Sequence, residues 1–362
     1  MSIKPYTALA IQNTMLTVRK KEDVFKNLEG IKEIIELNHY IGLDYPIRLT
    51  AINEASFQTF VDSQLGWDHA TNAREGVMST TLPGPESDYL AELARKYETY
   101  ICGQIRAKDP QMGFEDRFFN MLFVIDPQGK LIHKYHKLQT FAPENSVVPH
   151  DVWDRFVEVY GQTMDSFFPV VDTEIGKIGT LECMDTSYPE TARGMAMNGA
   201  EILYAPTYIE PYVGRGWHDI QLRARALDNN CYVVSPNSGN WFLGPDSKVP
   251  TDMHGGNSMI IDYTGQVLAR HAGDGNSFIS APIDIEALRY WRTKVSFGAW
   301  IKDLRTEQFQ LLYREPIMPK NRFMAKPPGP RSERMKVERT NVEKLIKRGV
   351  YTRPGRWADE DE

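Results

Sequence analysis

Residues 173–193, with the sequence TEIGKIGTLECMDTSYPETAR, constrain the fold of this chain more than any other stretch. Apolar and β-branched residues interrupted by Gly176 and Gly179 predict a hairpin that runs into a buried strand. Pro189 predicts the first turn of a helix, because the N–H that proline lacks would be unpaired there in any case. Cys183 lies between these two elements. A tight strand-to-helix turn leaves backbone N–H groups without partners, so it places this thiol beside hydrogen-bond donors.

A thiol beside unpaired backbone donors is the arrangement that a nucleophile for acyl transfer needs. The alternative is that Cys183 is a small buried hydrophobic residue, as many cysteines are. For Cys102 and Cys231, which lie at the starts of predicted strands, we favour that core interpretation. Three scattered cysteines in 362 residues form neither a disulfide framework nor a CxxC metal motif. We therefore expect a cytoplasmic protein with reduced thiols.

The composition argues against several classes of partner. A net charge of −6 disfavours nucleic-acid binding and anionic membranes. No apolar run approaches the length of a membrane span, and the first residues lack the apolar segment of a signal peptide. None of the eight histidines has the spacing of metal ligands, and His133 and His136 are expected to pack or to face solvent. We expect no metal or other cofactor, no nucleic acid and no membrane partner.

The order of predicted elements indicates an α/β protein with a mixed sheet. Predicted strands outside the cysteine stretch cover 6–12, 47–53, 100–105, 118–126, 130–138, 201–206, 232–236, 258–262, 267–270 and 277–283. Predicted helices cover 21–37, 86–97, 152–160, 190–197, 217–229 and 285–293, whereas 55–84 looks irregular. Amphipathic helices cover one side of a sheet only. Two stacked sheets would give a four-layer α-β-β-α sandwich, and the pattern alone does not separate this from a doubly wound sheet.

Three polar residues lie at comparable places in this pattern. Glu54 follows a predicted strand, Lys137 is near the end of another, and Cys183 is in its turn. Sites assemble at strand ends in α/β sheets, although a lone charge there is more often solvated. Brought together, Glu54 could take the thiol proton, and Lys137 with a backbone N–H (Met184 or Asp185) could bind an oxyanion.

Six stretches carry a resemblance to a known family: LTAINEA at 49–55, HKYHKL at 133–138, IGKIGTLECMD at 175–185, YPE at 188–190, GAEILYAPT at 199–207 and RARALDNN at 223–230. Together they resemble the nitrilase superfamily of carbon–nitrogen hydrolases, in that family's order, through most of 8–282. The resemblance implies an α-β-β-α fold and a triad of Glu54, Lys137 and Cys183. It also implies that Glu144 positions the substrate and the lysine. Two positions depart from the family pattern, Asn53 where proline is usual and Asp228 where glutamate is usual.

The resemblance implies an amidase that hydrolyses a small linear amide through an acyl-thioester on Cys183. N-carbamoyl substrates remain an alternative, and nitriles rank third because the Cys-Trp-Glu motif of nitrilases is absent. Transfer of the acyl group to an amine and a catalytically inert scaffold are further alternatives. Candidate pocket walls are the aromatic residues Trp153, Tyr188, Tyr208 and Trp241, for which plain packing is the competing interpretation.

The chain divides into a predicted hydrolase domain at 1–308 and a tail at 309–362. The tail is rich in Pro, Lys and Arg and weak in apolar periodicity, so we expect it to be extended. It would either wrap a partner subunit or be disordered. Because family members commonly self-associate, the resemblance implies a homo-oligomer.

Overall fold

Two six-stranded sheets form the centre of the structure, a computed structural model that describes residues 2–42, 44–59, 68–141, 144–208, 216–244, 246–250, 255–273 and 275–355. The strands are β1 (Tyr6–Gln12), β2 (Met15–Leu16), β3 (Ile47–Ile52), β4 (Tyr100–Ala107), β5 (Phe119–Ile125), β6 (Leu131–His136), β7 (Val170–Thr173), β8 (Gly176–Thr180), β9 (Ile202–Tyr204), β10 (Tyr232–Ser235), β11 (Trp241–Phe242), β12 (Ser258–Ile261), β13 (Val267–His271) and β14 (Ser277–Ile283).

Both large sheets are mixed. The first has the order β14-β1-β3-β4-β5-β6 and the second β13-β12-β10-β9-β8-β7, while β2 and β11 pair separately. In the first sheet β1, β3 and β4 are parallel, and in the second β8, β9 and β10 are parallel. The flanking strands are antiparallel. Strand β3 of the first sheet leads to Glu54, and strand β8 of the second sheet leads to Cys183.

Helices lie on the outer faces. The α-helices are α1 (Val24–Ile41), α2 (His69–Glu75), α3 (Pro85–Tyr97), α4 (Trp153–Tyr160), α5 (Met164–Phe167), α6 (Pro189–Met197), α7 (Trp217–Asn229), α8 (Ile285–Lys294), α9 (Thr306–Phe309) and α10 (Arg331–Lys347). Short 3-10 helices cover Lys21–Asp23, Val77–Ser79, Pro149–Val152, Cys183–Ser187, Trp300–Asp303 and Gln310–Tyr313. Within the described ranges, none of the helices is long and apolar enough to cross a bilayer.

Alternation along β1 shows how the layers stack. Leu9 and Ile11 join a core cluster with the buried faces of α1 and α3. Ala8 and Ala10 point the other way, into a cluster that combines both sheets with the inner faces of α6 and α7. The fold is therefore the four-layer α-β-β-α sandwich, and the doubly wound alternative is excluded.

Most predicted elements are present, with boundaries that capping explains. Helix α7 spans the predicted residues, whereas α1 continues to Ile41 and ends at Gly42, whose φ of 71° stops it. Part of the region expected to be irregular is helical, because the Asp68 side chain caps α2 by accepting a hydrogen bond from the Thr71 N–H at 2.9 Å. Residues 60–67 of that region lie outside the described residues.

The tail differs from the expected extended form. It contains α10, a 17-residue helix in which most side chains are charged or polar. Polar contacts hold the tail on its own domain, since Arg322 pairs with buried Asp151 and Arg117 donates to the Phe323 carbonyl at 2.7 Å. Apolar periodicity did not indicate the helix, because its sequence is dominated by charged and polar residues.

Candidate active site

Cys183 sits on a strained strand-to-helix turn. Strand β8 ends at Thr180, and the Cys183 N–H donates to the Pro206 carbonyl at 2.9 Å. Cys183 then adopts φ of 44°, a left-handed value that is uncommon for a residue with a Cβ. Its side chain is half-buried. Cys183 is also the first residue of the 3-10 turn that leads to Pro189. Strain of this kind is retained where surrounding contacts enforce it, often at functional sites.

Asp185 supplies those contacts. Its Oδ2 accepts from the Glu182 N–H at 3.0 Å and from the Tyr135 hydroxyl at 2.7 Å, and its Oδ1 accepts from the Gln139 N–H at 2.9 Å. Burial raises the pKa of the Asp185 carboxyl to about 6, against the lowering effects of Lys137 and these donors. The carboxylate therefore joins the cysteine turn to the chain that carries Lys137.

Glu54 and Lys137 form an ion pair that is almost wholly excluded from water. Lys137 directly follows β6, and Glu54 comes two residues after the end of β3. The Lys137 Nζ lies 2.9 Å from Glu54 Oε1. Both side chains are 1% exposed. The Lys137 N–H donates to the Asn120 carbonyl at 2.9 Å, which fixes its backbone. The predicted convergence of Glu54 and Lys137 is therefore present in the structure.

Glu144 completes the surroundings of the ammonium. Its Oε2 lies 2.6 Å from Lys137 Nζ, and the Asn120 amide donates to Oε1 of Glu144 at 2.9 Å and to Oε1 of Glu54 at 3.2 Å. Ser146 also donates to Glu144. Burial alone would raise the pKa of Glu144, but Lys137, Ser146 and Asn120 lower it, so the carboxylate is held ionised. Asn120, the second residue of β5, was not predicted because nothing in its local pattern is unusual.

Charges around Lys137 keep it protonated despite its burial. Burial opposes its charge, yet Glu144 and Glu54 raise the pKa of Lys137 well above its usual value, and Glu182 and Cys183 would add to this effect when ionised. An ammonium of this kind is a fixed positive charge beside the sulfur.

Glu182 is a fully buried carboxyl that the sequence analysis did not single out. It directly precedes Cys183, and its pKa is raised well above the usual value by burial and by Glu54, although Lys137 lowers it. The available signal was an ionisable residue directly after Leu181, which is buried, and directly before the cysteine.

Met184, the predicted oxyanion donor, is the second residue of the 3-10 turn that begins at Cys183. The Met184 N–H follows the strained Cys183 and enters none of the hydrogen bonds found among the described residues. Those residues also contain no group of three or more His, Cys, Asp or Glu arranged to hold a metal ion.

Of the four aromatic residues predicted to line the pocket, two lie together and the other two lie elsewhere. Tyr208 and Trp241 contact each other, with ring centroids 6.3 Å apart, in a small cluster with Met15 and with Ala55, the neighbour of Glu54. Tyr188 caps α6 and is 38% exposed. Trp153 stacks on Phe167 at 5.1 Å, and no contact among the described residues joins it to the triad.

The chain is similar to known proteins over most of its length. The family described as carbon-nitrogen hydrolase matches residues 7–293. A deaminated glutathione amidase of Synechocystis sp. (strain PCC 6803 / GT-S) is 26% identical over 81% of this chain and 97% of the relative. A formamidase of Bacillus cereus (strain Q1) is 30% identical over 65% of this chain and 63% of the relative. Saccharomyces cerevisiae Nit3, a member of branch 10 of the nitrilase superfamily, superimposes with a TM-score of 0.60 at 24% identity, covering 81% of this chain and 95% of that chain.

Proposed function

The chain belongs to the carbon-nitrogen hydrolase family, whose amidase members act on non-peptide C–N bonds, and we propose that it hydrolyses a small linear amide to a carboxylic acid and ammonia. The observation that carries the proposal is the buried Lys137–Glu54 pair, whose ammonium interacts electrostatically with Cys183 on its strained turn. A buried ammonium and carboxylate next to a half-exposed thiol supply the charges that acyl transfer needs.

In the first step, the sulfur of Cys183 attacks the amide carbonyl carbon while Glu54 accepts the thiol proton. The carbonyl oxygen becomes an oxyanion, which accepts hydrogen bonds from Lys137 Nζ and the Met184 N–H. Each such donor is typically worth about 3–4 kcal/mol of barrier. Glu144 holds Lys137 in place from its other side.

In the second step, the C–N bond breaks and Glu54 returns the proton to the leaving nitrogen, which departs as ammonia. The acyl group remains as a thioester on Cys183. Water then attacks the thioester carbonyl with Glu54 as base, the C–S bond breaks, and the sulfur recovers a proton as the acid leaves. Glu54 therefore alternates between base and acid.

The substrate class follows from what surrounds the sulfur. Met184 follows Cys183 where the Cys-Trp-Glu motif of nitrilases would have tryptophan, which favours amides over nitriles. A formamidase and a deaminated glutathione amidase among the relatives support amide hydrolysis. Tyr208 and Trp241, with Met15, would form an apolar wall for the acyl group.

A panel measurement tests the proposed function. Ammonia release is measured for formamide, short aliphatic amides, aryl amides, ureido acids and nitriles. We expect the highest kcat/KM for an amide. Higher activity on ureido acids or nitriles would replace the proposal with those alternatives, and capture of the acyl group by added hydroxylamine at the expense of free acid would favour transfer over hydrolysis.

The tail helix is expected to position Glu144 through Arg334. This guanidinium donates to the Glu144 carbonyl at 2.9 Å, to the Phe141 carbonyl at 3.2 Å and to the Thr140 hydroxyl. Arg334→Met should therefore loosen the loop and lower kcat/KM by about 10-fold, the effect of losing a charge-assisted hydrogen bond. Arg339→Met, at an exposed position of the same helix, is the matched control. Equal activity of the two variants would contradict this role.

We also propose self-association through the outer face of α7. Leu222 of this helix is buried, whereas Ile220 is 64% exposed and Leu227 and Trp217 are exposed on the same side. Apolar side chains at i, i+3 and i+10 form a stripe that a second copy would cover. Sedimentation velocity should show a dimer or larger species that Ile220→Asp reduces. A monomer at micromolar concentration would contradict the proposal.

The proposed compartment is the cytoplasm. None of the three cysteines, all of which the structure describes, forms a disulfide. A reducing compartment keeps the Cys183 sulfur available for attack.

A further inference from the structure

Glu182 has a fixed backbone and a side chain without a donor. Its N–H donates to Asp185 Oδ2 at 3.0 Å, and its carbonyl accepts from the Asp185 N–H at 2.8 Å. The residue is fully buried, and both carboxyl oxygens lack a hydrogen-bond partner among the described residues. A buried carboxylate without donors is strongly disfavoured, because the protein supplies nothing in place of its hydration.

One carboxyl oxygen of Glu54 also lacks a donor among the described residues. Oε1 of Glu54 accepts from Lys137 and Asn120, but Oε2 of Glu54 is buried and has no donor within the described part of the chain. Besides burial, Glu54 raises the pKa of Glu182 by its negative charge and by a side-chain hydrogen bond, so the two carboxyls are neighbours. Two ionised carboxylates can only accept, so neither can satisfy the other without a proton.

The charges around Glu182 also call for a proton there. Glu54, Glu144 and Glu182 converge on a single ammonium, Lys137, and Glu144 already has three donors. Two tyrosines face Glu182, but the Tyr135 hydroxyl donates to Asp185 and the Tyr204 hydroxyl donates to the Ile52 carbonyl. Burial raises the pKa of Glu182, which agrees with this arrangement.

We propose that Glu182 is a neutral carboxylic acid that donates a hydrogen bond to Oε2 of Glu54. This bond gives every oxygen of Glu54 a donor and leaves one net negative charge on the cluster of three carboxyls and Lys137. The second lone pair of Oε2 remains to receive the thiol proton. Glu182 is thus a positioning residue that acts through Glu54, and its proton is not consumed in turnover. The role in turnover rests on the proposed function, whereas the protonation does not.

Carbon-13 NMR of the resting protein tests the protonation directly. Glutamate is labelled with carbon-13 at the side-chain carboxyl, and the resonances are followed through a pH titration without substrate. We expect one resonance to keep the position of a protonated carboxyl at pH 7 and to be absent from Glu182→Gln. If every glutamate is ionised at pH 7, or if the protonated resonance persists in Glu182→Gln, the inference is wrong. Neither result depends on which amide is hydrolysed.

Kinetics of two neutral variants test the positioning role. Glutamine has an N–H that can donate to Glu54, and leucine has none, so Glu182→Gln should stay within about 10-fold of wild-type kcat. Glu182→Leu should lose on the order of 10- to 100-fold in kcat with KM little changed. Equal kcat for the two folded variants would overturn the role. If Glu182→Leu does not fold, a Glu182→Gln kcat reduced by more than 100-fold would overturn it.

Discussion

Ammonia release is expected to fall by roughly 10⁵-fold or more when Cys183 is replaced by alanine, because no acyl-thioester can form without the sulfur. The side chain is half-buried and loses one atom, so the free energy of unfolding should change by less than about 1 kcal/mol. The two measurements are kcat/KM for the best amide of the panel and thermal unfolding of the same preparation.

Two further variants separate chemistry from strain and from general thiol loss. Cys102→Ala removes a fully buried thiol from β4 and should retain activity. Cys183→Gly should be inactive yet at least as stable as Cys183→Ala, since glycine adopts φ of 44° without the cost of about 1 kcal/mol that a Cβ brings. Substantial turnover by Cys183→Ala would remove the sulfur from the mechanism.

Replacing Lys137 by methionine is expected to affect both activity and stability. The oxyanion loses its charged donor, which predicts a decrease in kcat/KM on the order of 10³-fold. The carboxylates of Glu54 and Glu144 lose the ammonium that lies 2.9 and 2.6 Å away, and breaking a buried pair typically destabilises by about 3–5 kcal/mol. Chemical denaturation and steady-state kinetics measure the two effects.

The stability loss should depend on pH with a defined sign. In the wild-type protein, burial raises the pKa of Glu144, but Lys137 lowers it by more than burial raises it. The net pKa is therefore below the usual 4.5. A depressed carboxyl pKa contributes stability that is present above the unfolded value and lost as pH falls through the folded value. Without Lys137, burial prevails and the sign reverses. The variant should therefore be least stable relative to wild type at neutral pH, with a smaller difference near pH 4.5.

Lys130→Met is the matched control for Lys137→Met, because Lys130 begins the same hairpin segment but is exposed. It should leave stability within about 0.5 kcal/mol and activity unchanged. A Lys137→Met protein as stable as wild type at neutral pH would show that the two buried carboxyls do not depend on the ammonium.

Strand ends and a turn indicated Glu54, Lys137 and Cys183 as separate candidates for the site. Glu54 and Lys137 each follow a strand, and the Gly176-to-Pro189 pattern predicts the turn that bears Cys183. These signals are local, because the alternation of apolar residues that marks a strand stops at a polar residue. Which strands are neighbours is not local, and the family resemblance was needed to join the three residues.

Residues that act through long-range contacts were not predicted. Asn120 lies inside β5 and bridges Glu54 and Glu144 by its amide, which no periodicity reveals. Arg334 reaches the Glu144 loop from a helix outside the matched domain, through contacts almost 200 residues apart in sequence. Trp153 shows the opposite case, since an aromatic residue near the triad in sequence packs against Phe167 instead.

The mass of the protein during turnover is the most direct test of the acyl-thioester on Cys183. The enzyme is mixed with its best amide, quenched in acid and analysed by intact-protein and peptide mass spectrometry. We expect a mass increase equal to that of the acyl group, confined to the peptide that contains Cys183 and absent from Cys183→Ala. An acyl group on any other residue, formed at a rate consistent with turnover, would contradict it.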